Sequence, residues 1–119
     1  MNIDASETEL KEAVIDLAHT FGWKCVHFRP AQTKHGWRTA VQGDGKGWPD
    51  LTLVHPDAWI IFAELKDKRG KLTKEQQEWK DLLWPVCEHL LMTRVRYYLW
   101  NPRDWNDIVR VLSFGAAHA

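Results

Sequence analysis

Three charged residues, Asp50, Glu64 and Lys66, stand at a spacing that can support chemistry. Asp50 follows Pro49, whereas Glu64 follows the apolar run 60–63, which predicts a strand buried on both faces. Because side chains alternate along a strand, Glu64 and Lys66 project to the same side, with their Cα atoms roughly 7 Å apart. A carboxylate and an ammonium group can therefore share one site.

A charged pair at the end of a buried strand needs a compensating partner, because an unpaired charge is expensive in a dry interior. If the preceding strand pairs with this one as a hairpin, Asp50 lies across from Glu64. Two converging carboxylates form a hard-oxygen site suited to Mg²⁺, which would polarise a phosphodiester and lower the pKa of bound water. Lys66 would then position or help to deprotonate that water, or neutralise the phosphorane.

The rival interpretation is a solvated salt bridge between Glu64 and Lys66, since Glu-x-Lys is common by chance. Three features favour a site instead: the Pro49-Asp50 pair, the interval of 14 residues between the two acids, and the apolar run before Glu64. On the pattern alone, both interpretations remain open.

Hydrophobic periodicity indicates the elements that must position these residues. It predicts helices over 6–21, from Thr73 onward and through Leu112, and strands over 24–29, 50–54, 59–66 and 94–100. Ser6 and Glu9 match a capping box. The segment 31–48 contains four glycines and is predicted as a basic loop, and 113–119 as a frayed tail. The order α-β-β-β-α-β-α predicts one α/β domain over 1–119, with a mixed sheet flanked by helices.

The second helix is predicted to begin at the Thr73 cap and to bury a stripe formed by Trp79, Leu82 and Leu83. Pro85 is predicted to end or kink it, because proline lacks the N–H group that a helix interior needs. The residues from 85 to 93 are apolar without a clear period.

The bulk composition narrows the function classes. With 45% hydrophobic and 27% charged residues, the chain fits a folded domain. Its zero net charge argues against holding nucleic acid by overall positive charge. The isolated Cys25 and Cys87 indicate neither a zinc site nor a redox pair. Without an apolar stretch of membrane-spanning length or the charge order of a signal peptide, a cytoplasmic protein that binds no membrane is expected.

Local basic clusters are the candidate substrate contacts, because lysine and arginine bind phosphates and tryptophan stacks on exposed bases. The predicted DNA contacts are Arg29, Lys34, His35, Trp37, Arg38, Lys46, Lys68, Arg69 and Lys71. Trp48 is a further aromatic candidate, whereas His27 is interpreted as a structural histidine. The alternative to DNA binding is a solvated loop for the cluster that ends at Lys46 and a solvated turn for the cluster from Lys68 to Lys71.

The order Pro49-Asp50, Glu64-x-Lys66 resembles the PD-(D/E)xK nuclease superfamily, and its surroundings are similar to the VRR-NUC branch. The matching segments are HFRPAQTKHGWRT, GDGKGWPDLTLV, FAELKDKRGKLTKEQQEW and WNPRDW, after an early helix with an acid. This similarity extends to about Leu112.

The resemblance implies a restriction-endonuclease-like core and a small stand-alone nuclease of phage or bacterial type, working in a bacterial cell or phage-infected host. Such a protein would use Mg²⁺, with Mn²⁺ as a substitute, to cut Holliday junctions or flaps in DNA repair or recombination. It would act as a homodimer. The alternatives are a catalytically silent DNA-binding module or nuclease subunit, and an enzyme acting on single-stranded DNA or RNA.

Position by position, the resemblance makes Asp50 and Glu64 metal ligands and the Leu65 carbonyl a third ligand. Lys66 becomes the catalytic base or the group that positions water. Gln76 becomes a site residue, because the family's L-[ST]-x-E-Q-x-x-W matches residues 72–79. Gln76 is also the partner expected for the Thr73 cap, and the two roles are compatible.

The resemblance also expects an acid on the first helix, as a catalytic residue and possible metal ligand. Glu7 lies about 40° from the centre of the apolar face, Glu9 about 120° and Glu12 about 180°. Glu7 alone can therefore reach inward. The alternative is that Glu7 only favours the helix dipole as a first-turn acid.

Overall fold

A computed structural model describes residues 1–28, 30–33, 36–39, 43–89 and 94–117, with side chains for 1–28, 43–88 and 94–113. The helices in these ranges are α1 (Glu7–Thr20), α2 (Lys74–His89) and α3 (Trp105–Ala117), with a short 3-10 helix at Pro102–Asp104. The strands are β1 (Lys24–His27), β2 (Pro30–Thr33), β3 (Gly36–Thr39), β4 (Leu51–His55), β5 (Trp59–Leu65) and β6 (Val95–Trp100). The predicted α/β class is confirmed.

The main sheet is mixed, with strand order β1-β4-β5-β6. The first three strands are antiparallel, and β6 runs parallel to β5 after the crossover through α2. The predicted hairpin of β4 and β5 is present and turns at His55–Ala58, where the Ala58 amide donates to the His55 carbonyl at 3.0 Å. Leu51 pairs with Ala63, so Asp50 and Glu64 meet at the open end of the hairpin.

The hydrophobic core lies between one face of this sheet and the pair α1 and α3. Odd-numbered residues of β4 and β5 point to this face, because strand side chains alternate. The fully buried members from helices and strands are Leu10, Val14, Ala18, Leu51, Leu53, Ile61, Ala63, Leu65, Ile108 and Leu112. The packing of α1 on this face places the first turn of α1 at the end of the sheet where the two acids meet.

The start of α1 is held by the predicted capping box. The Ser6 hydroxyl accepts from the Glu9 amide at 3.0 Å, and the Glu9 carboxylate accepts from the Ser6 amide at 3.1 Å. Because Glu9 is engaged at the helix end, Glu7 is left as the first-turn acid that can face the sheet.

The segment predicted as a loop over 31–48 contains two further strands, so that prediction is wrong in part. β2 and β3 form a separate antiparallel pair, with Gln32 opposite Trp37. Their residues are mostly polar or glycine, and such strands carry no alternation of aliphatic side chains for sequence patterns to detect. Trp37 and Thr39 were the available signal, since aromatic and β-branched residues favour strands.

Two expectations about α2 are corrected. Of the two effects predicted for Pro85, the end of the helix is wrong, because α2 continues through Pro85 to His89. Leu82, predicted to be buried, is 63% exposed. The inward stripe instead follows Gln76, Trp79, Leu83 and Cys87, which are buried or half-buried at helical spacing. Leu82 lies off this stripe, on a side of the helix that is open to solvent.

The helices of the described ranges all lack the combination of length and apolar character that crossing a membrane requires. α3 extends beyond the predicted Leu112 to Ala117, in keeping with the high helix propensity of alanine.

Candidate active site

Asp50 and Glu64 form the centre of the candidate site at the open end of the hairpin. The Asp50 carboxylate accepts a hydrogen bond from the Leu65 amide at 2.8 Å, which ties the start of β4 to the end of β5. Glu64 is only 1% exposed. Burial and the neighbouring Asp50 raise the pKa of Glu64 to about 9, and Lys66 opposes that rise. Without a cation, the Glu64 carboxyl therefore keeps its proton at neutral pH.

Gln76 makes three hydrogen bonds, one to Glu64 in the site and two to Thr73 at the start of α2. Its side-chain Nε2 donates to Glu64 at 3.0 Å, while its Oε1 accepts from the Thr73 amide at 2.8 Å. The backbone N–H of Gln76 donates to the Thr73 hydroxyl at 3.2 Å. One side chain thus makes both contacts that the sequence suggested, capping the helix and reaching the site. The cap holds the side-chain amide of Gln76 in position, and this side-chain amide orients the Glu64 carboxyl.

Glu7 is the helix-one acid that the structure brings to the site. It lines a cavity of about 460 Å³ together with Asp50 and Leu65. Burial and the nearby Asp50 carboxylate raise the pKa of Glu7. Glu9 is occupied by the cap, and neither Glu9 nor Glu12 lines this cavity. The placement agrees with the helical phase, whereas the catalytic role of Glu7 stays a prediction.

The same cavity contains residues that sequence reasoning did not assign to the site. Thr8, Lys11 and Phe28 line it, as does His27, which was interpreted as structural. Lys11 had a detectable signal, because it stands four residues after Glu7 and shares its helix face. Phe28 had none, since it follows the last residue of β1.

Lys66 continues the sheet one residue beyond β5, with its amide donating to the Trp100 carbonyl at 2.9 Å. Its side chain runs alongside Gly70, where an added Cβ would stand 2.8 Å from Lys66 Cβ and 2.9 Å from Cδ. The turn is held by Asp67, whose carbonyl and carboxylate accept from the Gly70 and Arg69 amides. Gly70 therefore leaves the space that the Lys66 side chain occupies, and from there the charge of Lys66 acts on both Glu64 and Glu7.

A divalent cation fits the donor set of this site. The described residues contain no cluster of three His, Cys, Asp or Glu side chains suited to a metal ion. Mg²⁺, however, is commonly held by one or two carboxylates and retains several waters. A buried carboxyl beside a second acid requires either a proton or a cation. Asp50 and Glu64 would be the side-chain ligands, and the Leu65 carbonyl and Glu7 stay predicted additions from the same cavity.

Some of the predicted DNA contacts are engaged in ion pairs and others are exposed to solvent. Lys68 pairs with Asp4, and Lys46 with Glu75 at 3.3 Å. Arg69 is exposed on the turn after Lys66. Surface ion pairs such as these contribute little, so both lysines can exchange a carboxylate for a phosphate.

For most of the remaining predicted DNA contacts, the structure does not describe the side chain. Lys71 is exposed beside Gly70. Trp37 and Arg38 belong to β3, whose backbone alone is described. Arg29, Lys34 and His35 lie outside the described residues.

The segment 43–49 before Asp50 is fastened to α2, which sequence reasoning missed. The Trp79 indole N–H donates to the carbonyls of Asp44 at 3.2 Å and Lys46 at 3.1 Å. Gly47 has a φ of 82° and lies so close to α2 that an added Cβ would be 2.5 Å from the Glu75 backbone. The signal was present, because the indole N–H of a partly buried tryptophan usually finds an acceptor.

Two acids and an orienting amide thus meet at the open end of one hairpin, and the charge of Lys66 acts on Glu64 from the end of β5. Such a set can hold a hard cation and orient a water molecule or phosphate oxygen beside it. Since no protein-family model and no curated protein matches this chain, the function has to be inferred from this geometry.

Proposed function

We propose that this chain is a divalent-metal-dependent endonuclease with a PD-(D/E)xK core of the VRR-NUC kind, cutting branched or structured DNA. The observation that carries the proposal is the buried Glu64 carboxyl, held beside Asp50 and oriented by Gln76. A surface salt bridge between Glu64 and Lys66 would leave the acid in solvent. A module that only binds DNA would have no use for two acids next to phosphate.

The protein's own residues would divide the work of hydrolysis. A bound Mg²⁺ would supply Lewis acidity and an activated water. Asp50 and Glu64 hold the charge that the cation neutralises, and Gln76 keeps the Glu64 carboxyl oriented. Lys66 positions the attacking water or stabilises charge developing on the phosphate oxygens.

Cleavage of labelled junctions, flaps and duplexes tests the proposal. We expect cutting in Mg²⁺ or Mn²⁺ that stops in EDTA, and a loss of about 100-fold in Lys66→Ala, the scale of a positioned proton-transfer group. Lys24→Ala is the matched control, since it removes the same charge from an exposed position on β1. A Lys66→Ala protein that cuts as well as the original would refute the assignment.

Replacing Gly70 by Ala is expected to lower kcat about tenfold, because a shift of about 1 Å near the chemistry can cost up to about 100-fold. The added methyl group would displace the Lys66 side chain from its present course. Magnesium affinity and the melting temperature should change little, since Lys66 is not a ligand and the turn is exposed. Single-turnover kinetics and calorimetric metal titration measure the two effects. An unchanged kcat would show that this path of Lys66 is not required.

The dimer and the preference for branched DNA belong to the same proposal. Self-association is supported by exposed apolar side chains on α2, since Leu82 and Val86 stand four residues apart on one side of the helix and Trp84 is exposed on another. Exposed apolar side chains grouped on one helix are typical of interfaces. Sedimentation of the chain at several concentrations would test the dimer independently of cleavage.

A further inference from the structure

A second cavity opens on the sheet face opposite α1 and α3. Leu51 and Leu53 point into the core, so Thr52 between them points to this other face, and Val26 pairs with it from β1. The cavity has a volume of about 470 Å³, within the range of small-molecule sites. Its principal lining residues are Val26, Phe28, Asp44, Trp48, Thr52 and Trp79.

The aromatic walls of this cavity are fixed before any ligand arrives. The Trp79 ring is held by its two hydrogen bonds to the segment 43–49. Trp48 packs edge-to-face against Trp79 at 4.8 Å and against Phe62 at 5.4 Å, measured between ring centroids. Rigid aromatic rings bind a flat partner at low entropic cost.

The charge of the lining indicates what kind of group can enter. Among the described lining residues, the charged one is Asp44, an acid, and none is basic. A phosphate would therefore be repelled, whereas a neutral planar ring would be accepted. The Asp44 carboxylate and the Thr52 hydroxyl offer hydrogen bonds to the edge of such a ring.

The cavity borders the candidate active site. Phe28 lines both this cavity and the one that contains Glu7 and Asp50. Trp48 stands two residues before Asp50 in the chain. A nucleotide with its phosphate at Asp50 would thus have this aromatic cavity beside it. The two cavities meet at Phe28, just after the end of β1.

We infer that this cavity receives an unstacked nucleobase adjacent to the scissile phosphate. The inference rests on the proposed nuclease function and sharpens its substrate class. A base inside an intact duplex cannot enter without being unpaired, which requires energy that a branch point or flap has already supplied. The cavity therefore selects DNA with an unpaired base beside the cut.

Removing single bases from the substrate tests the inference without altering the protein. A flap or junction is prepared with an abasic residue at each position flanking the cut, one position at a time. We expect kcat/KM to fall about tenfold at one position, the scale of a single base–aromatic stack, and to stay nearly constant at the others. Equilibrium binding in Ca²⁺, followed with 2-aminopurine at that position, should show quenching of its fluorescence on binding.

Filling the cavity gives the complementary test. Val26→Trp introduces a large ring at a lining position that is 50% exposed, so the fold should tolerate it. Val54→Trp is the matched control, because Val54 lies on the same sheet face at 46% exposure and is not among the lining residues. We expect Val26→Trp to lower kcat/KM about tenfold on the intact substrate and to abolish sensitivity to the abasic residue.

The outcomes separate the inference from the function beneath it. Normal cleavage with no abasic effect at any position, and equal activity of the two tryptophan variants, would overturn the inference and leave the nuclease intact. A changed oligomeric state in Val26→Trp, with no abasic effect, would assign the cavity to a second copy of the chain and also overturn it. No metal-dependent cleavage by the unaltered protein would refute the nuclease and the inference together.

Discussion

Replacing Glu64 by Gln is expected to reduce cleavage by about 1000-fold or more and to stabilise the metal-free protein. The activity falls because the amide removes one of two charges that hold the cation. The contacts survive, since the side-chain oxygen can still accept from Gln76 and the new amide can donate toward Asp50. The two effects therefore have opposite signs, which a simply misfolded variant would not show.

The stability gain follows from proton linkage at Glu64. Burial and Asp50 raise its pKa from 4.5 to about 9, while Lys66 opposes and Glu7 adds to the shift. The folded protein thus keeps a proton that the unfolded chain releases above pH 4.5. Its stabilising contribution is complete below pH 4.5 and is lost as the pH rises toward 9. A glutamine has no such proton to lose.

At pH 8 in EDTA, we expect Glu64→Gln to raise the free energy of unfolding by about 1 to 2 kcal/mol, the scale of a polar burial penalty. Urea denaturation measures it, with Glu78→Gln on the exposed side of α2 as the control for charge. Added Mg²⁺ should stabilise the unaltered protein and not Glu64→Gln. A variant less stable than the original at pH 8 would favour the rival salt bridge between Glu64 and Lys66.

The geometry around Asp50 and Glu64 was largely predictable because local rules determine it. A short turn at His55–Ala58 forces β4 and β5 into a hairpin, and the two acids must then meet at its open end. Helical phase separated Glu7 from its neighbours for the same reason, since an α-helix has one period and one buried face.

The features that escaped prediction depend on contacts distant in sequence. Leu82 is exposed because another side of α2, along Gln76, Leu83 and Cys87, faces inward, and the apolar residues of the helix alone do not reveal which side that is. Trp79 was expected in the core but instead fastens the segment 43–49, more than 30 residues earlier. The aromatic cavity arises from that fastening, so no single stretch of sequence contains its pattern.

Magnesium affinity is expected to rise about tenfold per pH unit from pH 6 to pH 8 and less steeply up to pH 9, about 500-fold in total, because the cation must displace one proton. That proton sits on Glu64, whose pKa is raised to about 9 by burial and by Asp50. The raised pKa of Glu7 steepens the dependence at the acidic end if Glu7 also faces the cation.

Calorimetric titration with Mg²⁺ in two buffers of different ionisation enthalpy measures the proton directly. About one proton should be released per ion near pH 7.5, and Glu64→Gln should release none and bind weakly at every pH. Cleavage at subsaturating Mg²⁺ should follow the same slope. If the affinity stayed constant from pH 6 to 9, Glu64 would already be ionised in the metal-free protein. The buried acid would then need a positive partner other than the metal, and Lys66 would be its only neighbouring cation among the charged groups that act on it.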